Sequence, residues 1–314
     1  MLATFHKSLN ELLFGIAAGP FMIFDFALLA QYLLYGLIIG GMYGLMGAGL
    51  SLIWGVMDIC NFAHGSLFML GAYFAYLAFT VWGLDPVLSV LTATVAVFVI
   101  GMIIEKSTLL PLRRKSREWL TAAYISTLGL SIALENIALA VWGGHRRGVT
   151  YYYIGILDIF GIRVSFDRIA ILAVSMAMMG AFWLIMEKTR TGRAIRSVAQ
   201  DKEAAMLVGV EVDRIYTITV GLGSALAAAA GGLLLPIFLA YPTVGQDPIR
   251  RAFAVVILGG LGNVQGAFLA GLILGVAGAL VTGYIGSGLE AILTFAVLIV
   301  LLLFRPTGLF GHAR

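Results

Sequence analysis

The sequence predicts an all-α fold, a polytopic bundle of transmembrane helices that contains broken half-helices and a short cytoplasmic helix. Three observations lead to this prediction. Hydrophobic residues make up 61% of the 314 residues and charged residues only 11%, whereas a soluble domain carries roughly 25% charged residues. The mean hydropathy is +1.01. Apolar stretches recur from residue 12 to residue 304 without a long polar interruption, so residues 1–314 are expected to form one membrane domain.

A bilayer core about 30 Å thick requires roughly 20 apolar helical residues, and the stretches that approach this length give about eight to ten membrane segments. They cover residues 10–30, 33–56, 62–81, 87–110, 119–142, 168–187, 214–239, 251–262, 266–283 and 288–304. The first is interrupted by Gly19, Pro20 and Asp25, and we interpret it as a retained helix rather than a cleaved export signal. The stretch 251–262 is too short to span a bilayer and is a candidate half-helix.

The basic residues predict the orientation, because cytoplasmic loops hold an excess of Lys and Arg. Two loops between apolar stretches are basic, residues 106–117 and 188–214. Placing both loops in the cytoplasm puts fourteen of the 20 Lys and Arg residues, and both termini, on that side. Basic residues confined to short loops do not form a nucleic-acid surface. The single cysteine, Cys60, has no partner for a disulfide or a metal site.

The longest predicted extracytoplasmic segment, residues 143–167, contains a cluster of aromatic and basic residues. The cluster consists of His145, Arg146, Arg147, Tyr151, Tyr152 and Tyr153. Two interpretations stay open. The segment either receives a partner protein or forms part of an aromatic belt at the membrane interface.

A polar octet, Asp58–Gly65, lies between two apolar stretches and contains Asn61 and His64. Irregular backbone at membrane depth is tolerated only where it is buried in protein or lines a water-filled cavity. Asn61 and His64 are therefore candidate residues of a translocation pathway. The alternative is that both side chains only cap and tie helix ends, and for His64 this structural role is the stronger interpretation.

A second polar, glycine-rich segment, Gly259–Gly266, contains Asn263 and Gln265. Both segments begin with polar residues and continue into a glycine-spaced apolar helix, and paired interrupted segments point to the pathway in transporters. Asn263 and Gln265 are therefore further pathway candidates. Small residues with the spacing of close helix contacts also occur at Gly36, Gly40, Gly44, Gly271 and Gly275.

Ionisable residues inside membrane segments are costly and are functional candidates by default; here they are Asp25, Glu135 and Glu290. Glu135 and Glu290 fall near predicted extracytoplasmic helix ends, so a structural role is equally well supported. Thr127, Ser131 and Glu135 recur every four residues and share one helical face. That face is predicted to border the pathway.

The charged loop 187–214 contains the pattern of a short helix. Asp201 can cap its N-terminus, residues 202–208 give about two turns, and Gly209 can take the left-handed conformation that ends it. Ala204 and Ala205 leave a small-residue face that another protein could approach. A two-turn helix is marginal alone in water, so we expect it to gain stability by docking. The alternative is an ordinary solvated connector.

This segment resembles the coupling loop of ABC importer permeases, in which Glu-Ala-Ala is followed by a glycine and inserts into the ATPase subunit. Four other segments resemble the branched-chain amino acid permease of LivH type, and the likeness extends from about Gly36 to Gly311. These segments are Asn61–Gly65, Thr191–Arg196, Leu258–Gly262 and Pro306–Gly311. Other importer classes have a long sequence pattern after the glycine of this loop, and this chain lacks that pattern after Gly209. Residues 1–30 match no motif of the family.

The resemblance implies an importer in the bacterial inner membrane for branched-chain or related amino acids. It implies a LivM-like second permease, two ATP-binding subunits and an extracytoplasmic substrate-binding protein as partners of this chain, which would also contact membrane lipid. ATP and Mg²⁺ would be bound by the partner subunits, with no cofactor and no catalytic residue in this chain. In agreement, the sequence contains no Gly-x-x-x-x-Gly-Lys-Ser/Thr phosphate loop. The ATPase-coupling residues would be Asp201, Glu203, Ala204, Ala205 and Gly209.

Two other functions fit the sequence less well. A secondary transporter would explain the broken helices and intramembrane carboxylates, but it does not explain the two-turn helix. An intramembrane enzyme would need an acid, base or metal set around Cys60 and His64, and the sequence offers none. The resemblance leaves the substrate open among leucine, isoleucine and valine, other amino acids, amides and urea, and it leaves a homodimer open as well.

Overall fold

The computed structural model describes residues 26–149, 152–159, 162–305 and 307–311. Within these ranges, seven helical segments are long and apolar enough to cross a membrane, which confirms the polytopic helical bundle. The helices are α1 (Phe26–Met57), α2 (His64–Thr80), α3 (Pro86–Ile104), α4 (Leu110–Lys115), α5 (Trp119–Trp142), α6 (Phe166–Lys188), α7 (Arg190–Gln200), α8 (Lys202–Leu207), α9 (Val212–Leu234), α10 (Gln246–Gly259), α11 (Val264–Tyr284) and α12 (Glu290–Phe304). A π-helical turn, Glu105–Leu109, joins α3 to α4, and a 3₁₀ turn, Ser287–Leu289, precedes α12.

The predicted segments match these helices with two corrections. Residues 26–30 continue into α1, so the predicted break between 30 and 33 is wrong: no Gly or Pro interrupts residues 26–35, and Gln31 is a good helix former. The rest of the predicted first segment, including Asp25, lies outside the described residues. The predicted helix 214–239 ends at Leu234, because Pro236 cannot continue it.

A short β-hairpin in the loop between α5 and α6 was not predicted. Its strands, β1 (Ile156–Ile159) and β2 (Ile162–Ser165), are antiparallel, and Leu157 lies opposite Val164. β-Branched residues favour such strands. The hairpin leads directly into α6.

Helices α1 and α11 pack at a glycine contact, as their spacing predicts. A Cβ atom added to Gly36 would lie 2.9 Å from the carbonyl oxygen of Gly275, and one added to Gly40 would lie 2.7 Å from that of Gly271. Without water to drive helices together in lipid, such close backbone contact provides the packing energy. The two glycine series therefore form one antiparallel interface.

Helices α1 and α9 form the centre of the bundle and are buried over most of their length. Residues 223–232 of α9 are almost all Gly, Ala and Ser, which lets α1, α2 and α3 approach it closely. In contrast, α5 and α12 are exposed over most of their surface. The exposed side chains of α12 are large and apolar, as expected of a helix that faces lipid.

Two helices begin inside the bundle. The 17 residues of α2 are about 25 Å long and the 14 residues of α10 about 21 Å, so neither crosses a bilayer core about 30 Å thick. A Cβ atom on Gly65 would lie 2.7 Å from the carbonyl oxygen of Gly245. The N-termini of α2 and α10 therefore meet. The predicted half-helix 251–262 corresponds to α10, which begins earlier, at Gln246, and ends at Gly259.

Candidate functional site

The polar face of α5 lies against the starts of the two short helices. Three hydrogen bonds join them: Ser66 Oγ to Ser131 Oγ at 2.8 Å, Phe62 N to Thr127 Oγ1 at 3.4 Å, and Gln246 Nε2 to Glu135 Oε2 at 3.0 Å. Helix N-termini carry partial positive charge from unpaired N–H groups. The structure thus places a row of hydroxyl, amide and carboxylate groups beside two converging helix N-termini.

Asn61 and His64 are buried in this region and make the contacts of structural residues. The Asn61 Oδ1 atom accepts a hydrogen bond from the backbone N–H of Ala63 at 3.0 Å. The His64 Nε2 atom lies 3.1 Å from the carbonyl oxygen of Met46 on α1. Their side chains are 1% and 0% exposed. Asn61 closes the turn before α2 and His64 ties the start of α2 to α1, which are structural contacts, the alternative to a pathway role. Their part in a pathway stays a prediction.

Asn263 and Gln265 lie elsewhere. The Asn263 Oδ1 atom caps α11 by accepting from Gly266 N at 2.8 Å, and its Nδ2 atom donates to the carbonyl oxygen of Phe310 at 2.8 Å. Asn263 and Gln265 line a cavity of about 540 Å³ between α1, α6, α7 and the start of α11. The first polar segment meets the start of α10 instead, at Gly65. The likeness between the two polar segments gave no indication of that contact.

Sequence reasoning missed two groups of residues at the meeting point. Phe62 is in ring contact with Tyr124 and Phe253, with ring centroids 6.3 and 5.6 Å apart. At the start of α10, the paired side chains of Asp247 and Arg250 are 70% and 66% exposed. The sequence does contain a signal for this helix start. Gly245 is a turn residue, and Pro248, three residues later, falls in the first helical turn, where proline is tolerated.

Glu290, a candidate intramembrane carboxylate, is paired. It binds Arg251 of α10 and accepts a hydrogen bond from the Thr282 hydroxyl at 3.3 Å. The Arg251 guanidinium also lies over the Tyr43 ring, 5.3 Å from its centroid. These contacts join α1, α10, α11 and α12, so the structure gives Glu290 a role in packing.

The short helix of the charged loop has the predicted geometry. Helix α8 covers Lys202–Leu207, and Asp201 Oδ1 accepts hydrogen bonds from the backbone N–H groups of Glu203 and Ala204 at 2.9 and 3.0 Å. Gly209 has a φ of +86°, the left-handed conformation predicted for it. The amphipathic helix α7, which precedes it, was not predicted. The Thr189 hydroxyl caps α7 by accepting from Gly192 N at 3.0 Å.

The two alanines of α8 differ, and one expectation needs correction. Ala205 is 1% exposed because it faces its own chain, where α8 packs on α7 and α9, so it is not open to another protein. Ala204 and Glu203 are exposed. The apolar residues that follow are also exposed, Met206 at 48%, Leu207 at 89% and Val208 at 77%. The surface that α8 offers to a partner is therefore made by these residues.

Residues 32–302 match the family described as branched-chain amino acid transport system, permease component. The chain belongs to this family. It is 33% identical over 296 residues to the branched-chain amino acid transport system permease protein BraD of Pseudomonas aeruginosa, covering 90% of this chain and 95% of BraD. It is 32% identical over 302 residues to the corresponding protein LivH of Escherichia coli, covering 92% and 97%. A probable LivH of Methanocaldococcus jannaschii is 28% identical over 283 residues, covering 85% and 88%. The chain is thus a transport permease component and not an enzyme.

Where α3 ends and α9 begins, this permease has a buried ion-pair cluster that the sequence analysis overlooked. Glu105, 0% exposed, accepts a hydrogen bond from the Thr217 hydroxyl at 2.6 Å and pairs with Arg113 at 3.1 Å. Arg113 also binds Asp213 at 2.6 Å and lies over the ring of Tyr216, 4.4 Å from its centroid. Glu105 lies in the predicted apolar segment 87–110, so the rule that selected Glu135 would have found it.

The loop between α5 and α6 of the permease is tied to the bundle by Tyr152. Its hydroxyl donates to the carbonyl oxygen of Gly232 at 2.8 Å, and its backbone N–H donates to Asp167 Oδ1 at 2.9 Å. Burial raises the pKa of the Tyr152 hydroxyl, and the negative charge of Asp167 raises it further, so the hydroxyl stays a neutral donor. Tyr151 lies outside the described residues. Among those described, no group of three or more His, Cys, Asp or Glu could hold a metal ion.

Proposed function

We propose that this permease forms half of the translocation pathway of an ATP-driven importer for branched-chain or related amino acids in the inner membrane. Its relatives are named as components of branched-chain amino acid transport systems. In this proposal a second permease completes the pathway, and two ATP-binding subunits hold ATP and Mg²⁺. A binding protein delivers the substrate from outside.

The observation that carries the proposal is the polar surface where α2, α5 and α10 meet. Gly245, at the start of α10, packs on Gly65, which is about 22 Å of helix away from the outer end of α2. The neighbouring Asp247 and Arg250 are nevertheless largely exposed. Charged side chains at this depth cannot face lipid and point to a water-filled pathway or a second subunit. We infer that this surface faces the pathway between two permease subunits.

Energy would reach the pathway through α8. Exposed apolar residues on a charged loop, here Met206, Leu207 and Val208, mark a surface that a partner covers. Only the four residues Val208–Glu211 separate α8 from α9, the central helix that contacts α1, α2 and α3. A displacement of α8 by the ATPase subunits would therefore move the centre of the bundle as a rigid body between two states.

The extracytoplasmic partner would dock beside the hairpin. Ile154 and Ile156 are 92% and 70% exposed, while Tyr152 fixes the base of the loop to the bundle. A rigid loop with exposed apolar residues is suited to receive a binding protein. In this arrangement Tyr152 has a structural role at the base of the loop, whereas Ile154 and Ile156 are available to bind a partner. The loop would therefore combine a structural aromatic residue with a docking surface.

Cysteine labelling tests the pathway assignment. We expect Ser131→Cys and Gln246→Cys, each in a Cys60→Ala background, to react with a membrane-impermeant thiol reagent in at least one state of the transport cycle. Ile132→Cys is the matched control, because Ile132 is 57% exposed on another face of α5 and should stay unreactive in lipid. If both polar positions were inert in the resting, ATP-bound and binding-protein-bound complexes, the surface would be packed structure and the assignment would fail.

Uptake by vesicles tests the energy source. With its partner subunits in the membrane, the permease should accumulate radiolabelled leucine only when ATP is inside the vesicles. Leucine uptake driven by a proton or sodium gradient without ATP would instead establish a secondary transporter. Competition by unlabelled amino acids, amides and urea then defines the substrate.

A further inference from the structure

The cavity of about 540 Å³ near the cytoplasmic ends of α1 and α6 is separate from the polar surface proposed as the pathway. Its volume is within the range of about 300–1,000 Å³ that is typical of ligand sites. One wall is formed by Leu52 and Val56 of α1, and the opposite wall by Met179, Phe182 and Met186 of α6. Met179 and Met186 are about 10 Å apart along the helix, so the apolar part of the cavity is long and follows the direction of the helices.

The mouth of the cavity is polar. It is lined by Glu187, Arg196, Gln200, Asn263 and Gln265, which lie in the last turn of α6, on α7, or at the start of α11. The apolar walls therefore lie at the depth of lipid chains and the polar mouth at the depth of headgroups. A ligand that fits this arrangement has a long apolar part and a polar end.

The cavity also adjoins the bilayer. Trp183, which lines it, is 42% exposed, and the neighbouring Leu184 is 50% exposed, so this side of α6 faces lipid. A molecule can thus enter from the membrane without passing through water. This favours a lipid over a soluble ligand.

The charge at the mouth favours an anionic headgroup. Arg196 lies 3.7 Å from Glu187 and also donates to the carbonyl oxygen of Met186, while its side chain stays 38% exposed. A guanidinium carries five N–H donors and suits the oxygens of a phosphate. Three more basic residues, Lys188, Arg190 and Arg193, are exposed on the same ten-residue segment, against the single acidic residue Glu187. Basic pockets between membrane helices on the cytoplasmic side bind acidic lipid headgroups.

We propose that this cavity binds an anionic phospholipid of the cytoplasmic leaflet, with its phosphate at Arg196 and an acyl chain between α1 and α6. The lipid bridges α6 to α7, the helix that precedes α8, and thereby fixes the position of the cytoplasmic loop. The site is independent of the proposed transport function, because it requires only the permease chain and a membrane.

Native mass spectrometry of the full-length permease tests the proposal. The delipidated chain is mixed with equal amounts of palmitoyl-oleoyl phosphatidylglycerol and phosphatidylcholine, and the retained lipids are counted. We expect at least a fivefold preference for phosphatidylglycerol. Arg196→Gln should abolish the preference, whereas Arg117→Gln, the same change on another cytoplasmic loop, should leave it unchanged. Ala199→Phe, which fills the cavity from α7, should reduce retention of both lipids.

Three results would overturn the proposal. Equal retention of the two lipids by the wild-type chain would show that no anionic headgroup is selected. A preference that survives both Arg196→Gln and Ala199→Phe would place the lipid elsewhere. Displacement of phosphatidylglycerol by millimolar inorganic phosphate would show that the site takes the free anion rather than a lipid.

Discussion

Glu105 and Arg113 form a buried ion pair, 3.1 Å between Oε1 and Nη1, that spans the π-helical turn between α3 and α4. Arg113 reaches further, to Asp213 at the start of α9. A π-helical turn often marks a functional position, and here it joins the membrane helix α3 to α4, which carries the guanidinium that pairs with Glu105. The pair therefore joins the two basic loops of the chain at a single point.

The first prediction compares two adjacent arginines that bind the same aspartate. Arg113→Leu removes the partner of the buried Glu105 and should lower the free energy of unfolding by about 3–5 kcal/mol. Arg114 binds Asp213 at 2.7 Å but its side chain is 66% exposed, so Arg114→Leu should cost less than about 1 kcal/mol. Unfolding of the purified permease in detergent measures both.

A rescue variant separates charge from packing. Glu105→Gln added to Arg113→Leu removes the unpaired charge and should restore part of the lost stability. Equal stability of the Arg113→Leu and Arg114→Leu chains would contradict the buried-pair account.

The second prediction tests the glycine interface with a matched pair of substitutions. A Cβ atom on Gly40 would lie 2.7 Å from a backbone oxygen of α11, whereas one on Gly129 of α5 would meet no atom within 4 Å. Gly40→Ala should therefore lower the free energy of unfolding by about 1–3 kcal/mol, and Gly129→Ala should be neutral or stabilise by up to about 1 kcal/mol. Thermal unfolding in detergent distinguishes them, and similar melting temperatures would argue against close α1–α11 packing.

Much of the fold could be predicted because local signals agree with one another. The bounds of α5 follow directly from its apolar stretch, and the ends of α8 follow from Asp201 and Gly209. What a sequence does not contain is the pairing of distant segments. The contact of Gly65 with Gly245 depends on how α2 and α10 are folded back into the bundle, and no local pattern specifies it.

The same limit applies to the candidate site. The spacing of Thr127, Ser131 and Glu135 correctly placed them on one face, because helix periodicity is local. The side to which the alanines of α8 point was not predictable, because it depends on α7 and α9. Ala205 is buried on its own chain for that reason, although its sequence motif suggested an open face.

The third prediction concerns orientation. Arg113 of one basic loop binds Asp213, near the end of the other, so both loops lie on the same side of the membrane. A reporter that is active only in the cytoplasm should work when fused after Arg117, Lys202 or Arg314. It should fail after Tyr152, and activity there would reverse the proposed orientation.

The last prediction tests energy coupling at α8. Leu207 is 89% exposed on the surface proposed to meet the ATPase, so Leu207→Asp should leave the fold intact yet place an unpaired charge in the interface, at a cost of several kcal/mol. Each 1.4 kcal/mol is a factor of ten in binding, so ATPase co-purification and ATP-dependent uptake should both fall at least tenfold at equal membrane abundance. Lys202→Asp, also exposed on α8 but at its first turn, is the matched control for added negative charge and should have a smaller effect. Ala205→Glu should instead reduce the abundance of the permease itself, because Ala205 is enclosed by its own chain. Full uptake and undiminished ATPase binding by the Leu207→Asp chain would show that α8 is a solvated connector.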